Sequence, residues 1–190
     1  MARSIRQQGW AVGRILVAGA AAFLPLCAAG AIIPSSPDLG KAEGRCRPGE
    51  QGPALLVRVE GLKDHNGNLK LEVYPANDHD FLQDDNILIH EGKVFRRVEI
   101  PVGAANPVEL CVRIPGPGTY AVSVLHDRDG NRKFGLSVDG VGFSGNPKLG
   151  LGKPKAAKSS VSVTGNGLSR ITVVMNYRTG LMSFGPLRKK

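Results

Sequence analysis

The sequence offers no long amphipathic helix, no heptad pattern and no internal repeat, which excludes a helical bundle, a coiled coil and a repeat array. No glycine-rich phosphate loop opens a helix, so that route to nucleotide binding is excluded as well. Ser123, Ser144 and Cys111 are the nucleophiles to consider, but none stands in a nucleophile elbow or beside a predicted base. Cysteine is scarce, three in 190 residues, and the apolar run from Ile15 to Leu26 is too short to span a bilayer comfortably. Residues 1–31 carry no acidic side chain.

What is present in that first stretch completes a pattern. Arg3, Arg6 and Arg14 precede the apolar run, and Ala28, Ala29, Gly30 and Ala31 follow it. This is the three-part order of a secretory signal peptide over residues 1–31, with an uncleaved anchor as the alternative. A lipoprotein site at Cys27 is rejected because Leu26 before it is too bulky. Cleavage near Ala31 leaves Cys46 and Cys111, an even count that points to a disulfide in an exported protein; two free thiols are the alternative. The formal net charge of +9 falls to +6 once Arg3, Arg6 and Arg14 leave. Such a balance suits an anionic membrane or an acidic polysaccharide, and export argues against nucleic acid. The charge is spread out, however, and solvated surface is the plainer reading. No membrane span is expected after cleavage.

Gly 25 and Pro 13 are high counts that favour a turn-rich β fold. Residues 32–52 read as an extended lead-in and 53–190 as one domain. Strands follow at Ala54–Glu60, Leu69–Tyr74, Val94–Val102, Val108–Ile114, a strand from Gly118 ending at His126-Asp127, Val161–Thr164 and Arg170–Tyr177. About seven short strands with frequent turns predict an all-β, single β-sandwich, with a small β-barrel as runner-up. Asn66-Gly67 between the first two strands is a hairpin signal. The polar segment Ala76–Gly92 reads as a helical turn or a cover over one end of the sheet. Cys111 shares a strand face with Glu109 and Arg113, off the core, where the lead-in bearing Cys46 could be pinned across the sheet. Closing that loop would stabilise by about 4 kcal/mol in the chain-entropy model.

The richest set of candidate ligand oxygens follows the strand ending at His126. Asp127, Asp129 and Asn131 fall at alternate positions, the first three ligand positions of a calcium loop. An EF-hand would place glycine sixth and glutamate twelfth; here Arg132 and Val138 stand there, and Asp139 comes one residue late. Arg128, Arg132 and Lys133 would repel a divalent ion. The expectation is therefore a self-capped Asx turn that folds without metal, and no cofactor. His126 shares a face with Tyr120, Val122 and Val124, which predicts a hydrogen-bonded structural histidine at the rim of the core. Asp78, His79, Asp80, Asp84, Asp85 and His90 resemble a metal cluster on paper, but a solvated acidic loop is expected.

At Pro117-Gly118-Thr119-Tyr120, His126-Asp127-x-Asp129-Gly130-Asn131 and Gly140-x-Gly142-Phe143-Ser144-x-Asn146-Pro147, the chain resembles the bacterial family of exported proteins known as domain of unknown function (DUF) 2141. The likeness covers most of Ala54–Tyr177. It implies a transthyretin-like or immunoglobulin-like sandwich without an established activity. After Asn131 the chain departs from the family pattern: it has Arg132-Lys133-Phe134-Gly135 where members tend to have a small residue and then an aspartate. That departure weakens any acidic site carried over from the resemblance.

These readings converge on a periplasmic or secreted binding module rather than an enzyme. Its contact surface is expected around His126, Asp127, Asp129, Asn131, Phe143, Ser144 and Asn146, and its partner is an envelope protein or polysaccharide. The competing readings are an envelope hydrolase or metal-dependent enzyme, and a calcium-binding structural module. The enzyme reading requires His126 and Asp127 to meet the Asp78–Asp85 loop in one pocket.

Overall fold

Strictly alternating apolar and polar residues let a strand bury one face and wet the other, and this pattern sets the architecture. The computed structural model describes residues 33–150, 152–181 and 183–187; the signal peptide read over residues 1–31 lies outside them. Along the described chain come a helical turn α1 (Lys41–Gly44), β1 (Ala54–Glu60), β2 (Asn68–Pro75), a short helix α2 (Asp85–His90), β3 (Arg96–Pro101), β4 (Val108–Arg113) and β5 (Gly118–Asp127). Then follow β6 (Gly140–Phe143), β7 (Ser160–Val163), β8 (Leu168–Val174), β9 (Tyr177–Arg178) and β10 (Phe184–Gly185).

Two sheets pack face to face as a sandwich, without closing into a barrel. Sheet one has the order β4-β1-β8, with β1 antiparallel to β4 and parallel to β8. Sheet two runs β3-β2-β5, and β6 and β7 share the far edge of β5, β7 beside Gly118–Ala121 and β6 beside Ser123–His126. Leu55, Val57 and Val59 of β1 and Leu110 and Val112 of β4 meet Leu69, Leu71 and Val73 of β2 and Val122 and Val124 of β5 in the main core. Each such side chain, fully withdrawn from water, contributes about 1.5–3 kcal/mol.

Two features differ from the sequence reading, and the 76–92 segment, which holds the expected helical turn as α2, goes beyond it. Asn66-Gly67 does not close a hairpin: both edges of β1 are taken by β4 and β8, so the turn carries the chain across to sheet two. Gly67 is required there, because its φ is 72° and an added Cβ would lie 1.9 Å from the backbone oxygen of Asp127. β6 is a strand that the alternation did not reveal, since two of its four residues are glycine. The 76–92 segment does more than cap one end. With α2 it covers the outer face of sheet two and builds a second core from Tyr74, Phe81, Leu88, Phe95, Ala121, Phe143 and Ala156. Sheet two is therefore buried on both faces along much of β2 and β5.

Arg97 ties this cover down. Its Nε donates to Glu72 (2.8 Å), its Nη2 to Asp85 (3.1 Å) and its Nη1 to the carbonyl of Ser36 (3.0 Å), while Tyr74 Oη donates to the second oxygen of Glu72. Burial together with the nearby Glu72 carboxylate pushes the Tyr74 hydroxyl well above its ordinary pKa. The lead-in runs along the sandwich rather than away from it, and the backbone N–H of Arg97 donates to the carbonyl of Gly40. It is fixed by the Cys46–Cys111 disulfide, with a Cα–Cα separation of 5.9 Å. Cys111 lies on the outer face of β4 between Leu110 and Val112, as the alternation predicts. A structural disulfide suggests an extracytoplasmic location. Among the described residues no helix is long and apolar enough to cross a membrane.

Candidate functional site

β5 delivers its two ends to different tasks. At its C-terminal end His126 points inward and is fully buried. Its Nδ1 accepts from the hydroxyl of Tyr177 (2.6 Å), which itself accepts from the backbone N–H of Lys63 (3.0 Å). Its Nε2–H then donates to the carbonyl of Asn66 (2.9 Å). The carbonyl fixes the tautomer, and the relay anchors both ends of the β1–β2 crossover to the core. Burial lowers the His126 pKa, so the ring is neutral at physiological pH. His126 is a structural histidine.

The next residue, Asp127, faces the other way into the loop that leads to β6. It is 1% exposed, as is Asp139, which stands one residue before β6. Because His126 pairs with Gly140 across the β5–β6 ladder, Asp127 and Asp139 meet at the mouth of the hairpin. The loop between them is braced by carboxylates. Asp127 Oδ2 accepts from Arg132 N–H (2.9 Å), and Asp139 accepts from Arg128 N–H (2.9 Å) and Gly135 N–H (2.7 Å). Exposed Asp129 accepts from the backbone and the side chain of Asn131. Burial pushes the Asp127 carboxyl upward in pKa, and neighbouring Asp129 and Asp139 push it further.

The remaining expected contact residues divide by burial. Phe143 belongs to the second core, edge-on to Phe81 at 5.8 Å between ring centres, and Ser144 is buried. Asn146 is exposed, but its side chain donates to Thr172 O (3.0 Å) and accepts from Val174 N–H (2.8 Å), bridging the turn after β6 to β8. Only Asp129, Asn131 and Asn146 of the seven present themselves to solvent.

The acidic segment is solvated only in part: Asp78, His79, Asp84 and His90 are exposed, but two of its carboxylates are not. Asp80 and Asp85 are each 5% exposed. Asp80 accepts from Lys93 (2.6 Å), His79 (2.7 Å) and Asn77 (2.8 Å), which hold its carboxyl well below the usual range, Lys93 foremost. Asp85 pairs with Arg97, and Asp78 caps the backbone of Ala156 (2.7 Å). Asp78, Asp80 and Asp85 are each taken by a different partner, and Asp84 is exposed. Nor do these residues meet His126: they follow Pro75, whose ladder partner is Tyr120, whereas His126 pairs with Leu69 at the other end of β2.

Sequence reasoning missed a cleft of about 310 Å³ on the outer face of sheet two. Leu125, Val141 and Phe143 form its floor with Ser123, and Phe134, Leu136, Leu149 and Phe184 form its walls. Phe134 and Leu136 are 47% and 48% exposed. Lys70, Glu72 and Lys153 stand at its polar rim, but Glu72 is held by Arg97 and Tyr74, and Lys153 donates to the carbonyls of Asp78 and Phe81. One signal was available: Phe134, Leu136 and Val138 are apolar residues at alternate positions inside a mostly polar loop.

The molecule is thus an all-β sandwich pinned by a disulfide, with an apolar cleft on one sheet. The chain belongs to the family described as "Uncharacterized protein conserved in bacteria (DUF2141)", whose profile matches residues 57–171. No curated protein and no solved structure matches the chain.

Proposed function

We propose that this protein is a periplasmic binding module whose cleft on the outer face of sheet two receives apolar side chains of an envelope protein. The observation that carries the reading is the apolar cleft itself, walled by half-exposed Phe134 and Leu136. Large apolar side chains left in water around a concave apolar floor are characteristic of interaction sites. A polysaccharide is less well suited, because sugar hydroxyls need free donors and acceptors. Here the Glu72 carboxylate and the Lys153 ammonium at the rim already have protein partners.

The test is capture from periplasmic extract with the wild-type protein, a Phe134→Ser/Leu136→Ser double variant and an Arg58→Ser control on sheet one. All three sites are exposed, so all three proteins should fold. The reading expects a discrete partner that the wild type and the control retain and the double variant loses. Equal capture by all three would refute it.

A further inference from the structure

The loop between β5 and β6 contains an arrangement that the Asx-turn reading does not explain. One carboxylate oxygen from each of Asp127, Asp129 and Asp139 lies within 4.8 Å of the other two. Two of these carboxylates are buried, and three negative groups so close repel one another. Asp127 Oδ1 is moreover buried without any hydrogen-bond donor. An orphaned buried carboxylate oxygen is costly, and native structures rarely leave one. Two oxygens that each lie about 2.4 Å from one ion can be at most about 4.8 Å apart, so the spacing of the three is within reach of a single calcium ion.

Of the features that oppose an ion, exposed Lys133 remains, but the fold offsets the others. The missing twelfth-position carboxylate is supplied by Asp139, which the β5–β6 ladder sets beside Asp127 although it is one residue late. Arg132 stands where a calcium loop has glycine, yet it adopts a φ of 67°, the left-handed conformation a glycine would provide. The two arginines are engaged elsewhere. Arg128 forks onto Asp64 through Nε at 2.9 Å, and Arg132 Nη1 reaches both oxygens of Glu99 at 2.8 and 2.9 Å. Their charge is thereby largely compensated before it reaches the carboxylates.

We propose that Asp127, Asp129 and Asp139 bind one divalent cation of the oxygen-preferring class, calcium in the first instance. The donor set is hard carboxylate oxygen, without the histidine or thiolate that would favour zinc. The ion would pin the exposed middle of the loop to its buried ends. The same loop carries Phe134 and Leu136, but the inference stands on the carboxylates alone and needs no partner protein.

The experiment uses purified protein stripped with a chelator and then titrated with calcium chloride or magnesium chloride, followed by calorimetry and thermal denaturation. Calcium should bind with one-to-one stoichiometry and raise Tm by several degrees, with magnesium weaker. Asp129→Asn alters an exposed side chain, so the variant should fold, and its calcium affinity should fall at least tenfold. Asp139→Asn should abolish the Tm rise. Asp84→Asn, in the other acidic segment, should leave it intact. Absence of heat and of any Tm change at millimolar calcium would overturn the proposal, as would an equal response in wild type and Asp129→Asn.

Discussion

Replacing Tyr177 by Phe removes one hydroxyl and little else, since the ring can keep its edge-on contact with His126 at 5.9 Å between ring centres. What disappears is the donor to His126 Nδ1 and the acceptor for the N–H of Lys63. Lys63 is exposed and can turn to water, whereas His126 is fully buried and cannot. The cost is therefore that of one buried unsatisfied acceptor, about 1–3 kcal/mol. For a domain of roughly this size each kcal/mol moves Tm by about 2–4 °C, so a fall between about 2 and 12 °C is expected in a thermal melt at neutral pH. A second readout separates the hydroxyl from general loosening. Burial pushes the Tyr177 pKa up to about 12. The folded state thus holds this proton at pH values where an unfolded tyrosine, with its ordinary pKa near 10, has lost it. The contribution is complete below about pH 10 and is lost as pH rises toward the folded value. The phenylalanine variant has no such loss, so the gap between the two proteins should narrow above about pH 10. An unchanged Tm at neutral pH, or a gap constant through that range, would refute the relay.

Arg97→Met should be more damaging, because it leaves Asp85 buried without its cation and Glu72 with only the longer contact to Lys70 at 3.6 Å. A loss of about 3–5 kcal/mol in urea unfolding is expected, and one below about 1 kcal/mol would show that water reaches these carboxylates. Asp80 supplies the acid limb. Its carboxyl is held below the ordinary value by Lys93, so its contribution is complete above about pH 4 and is lost as pH falls through the folded value. Asp80→Asn should flatten the acid side of the stability–pH curve; an unaltered slope would contradict the pairing.

Much of the fold was legible because period-two alternation in β1, β2, β4 and β5 admits little else, and Cys111 could be placed on the outer face from the same pattern. Pairing was less legible. Asn66-Gly67 carries a local turn preference, but whether the chain turns within a sheet or between sheets depends on which strands occupy the edges of β1, and β8 lies more than a hundred residues away in sequence. The burial of Asp80 and Asp85 was not legible, because Arg97 and Lys93, which neutralise Asp85 and Asp80, are supplied from beyond α2. At the candidate site the spacing of Asp127, Asp129 and Asn131 was plain. That Asp139 lies beside Asp127 was not legible, because the β5–β6 ladder and not the sequence spacing brings them together. The cleft was hidden for a related reason: Leu125, Val141 and Phe143 come from two strands and Phe184 from the C-terminal segment, which only the tertiary fold brings together.

Partner binding at the outer face of sheet two can be read by placing a photo-reactive amino acid at position 136 and, in a separate protein, at position 58 on sheet one. Irradiation in intact cells followed by mass spectrometry reads which site acquires an adduct. The account predicts a discrete protein adduct from position 136, suppressed by Phe134→Ser in the same chain, and none from position 58. Adducts of equal yield from both positions, or from position 58 alone, would contradict it.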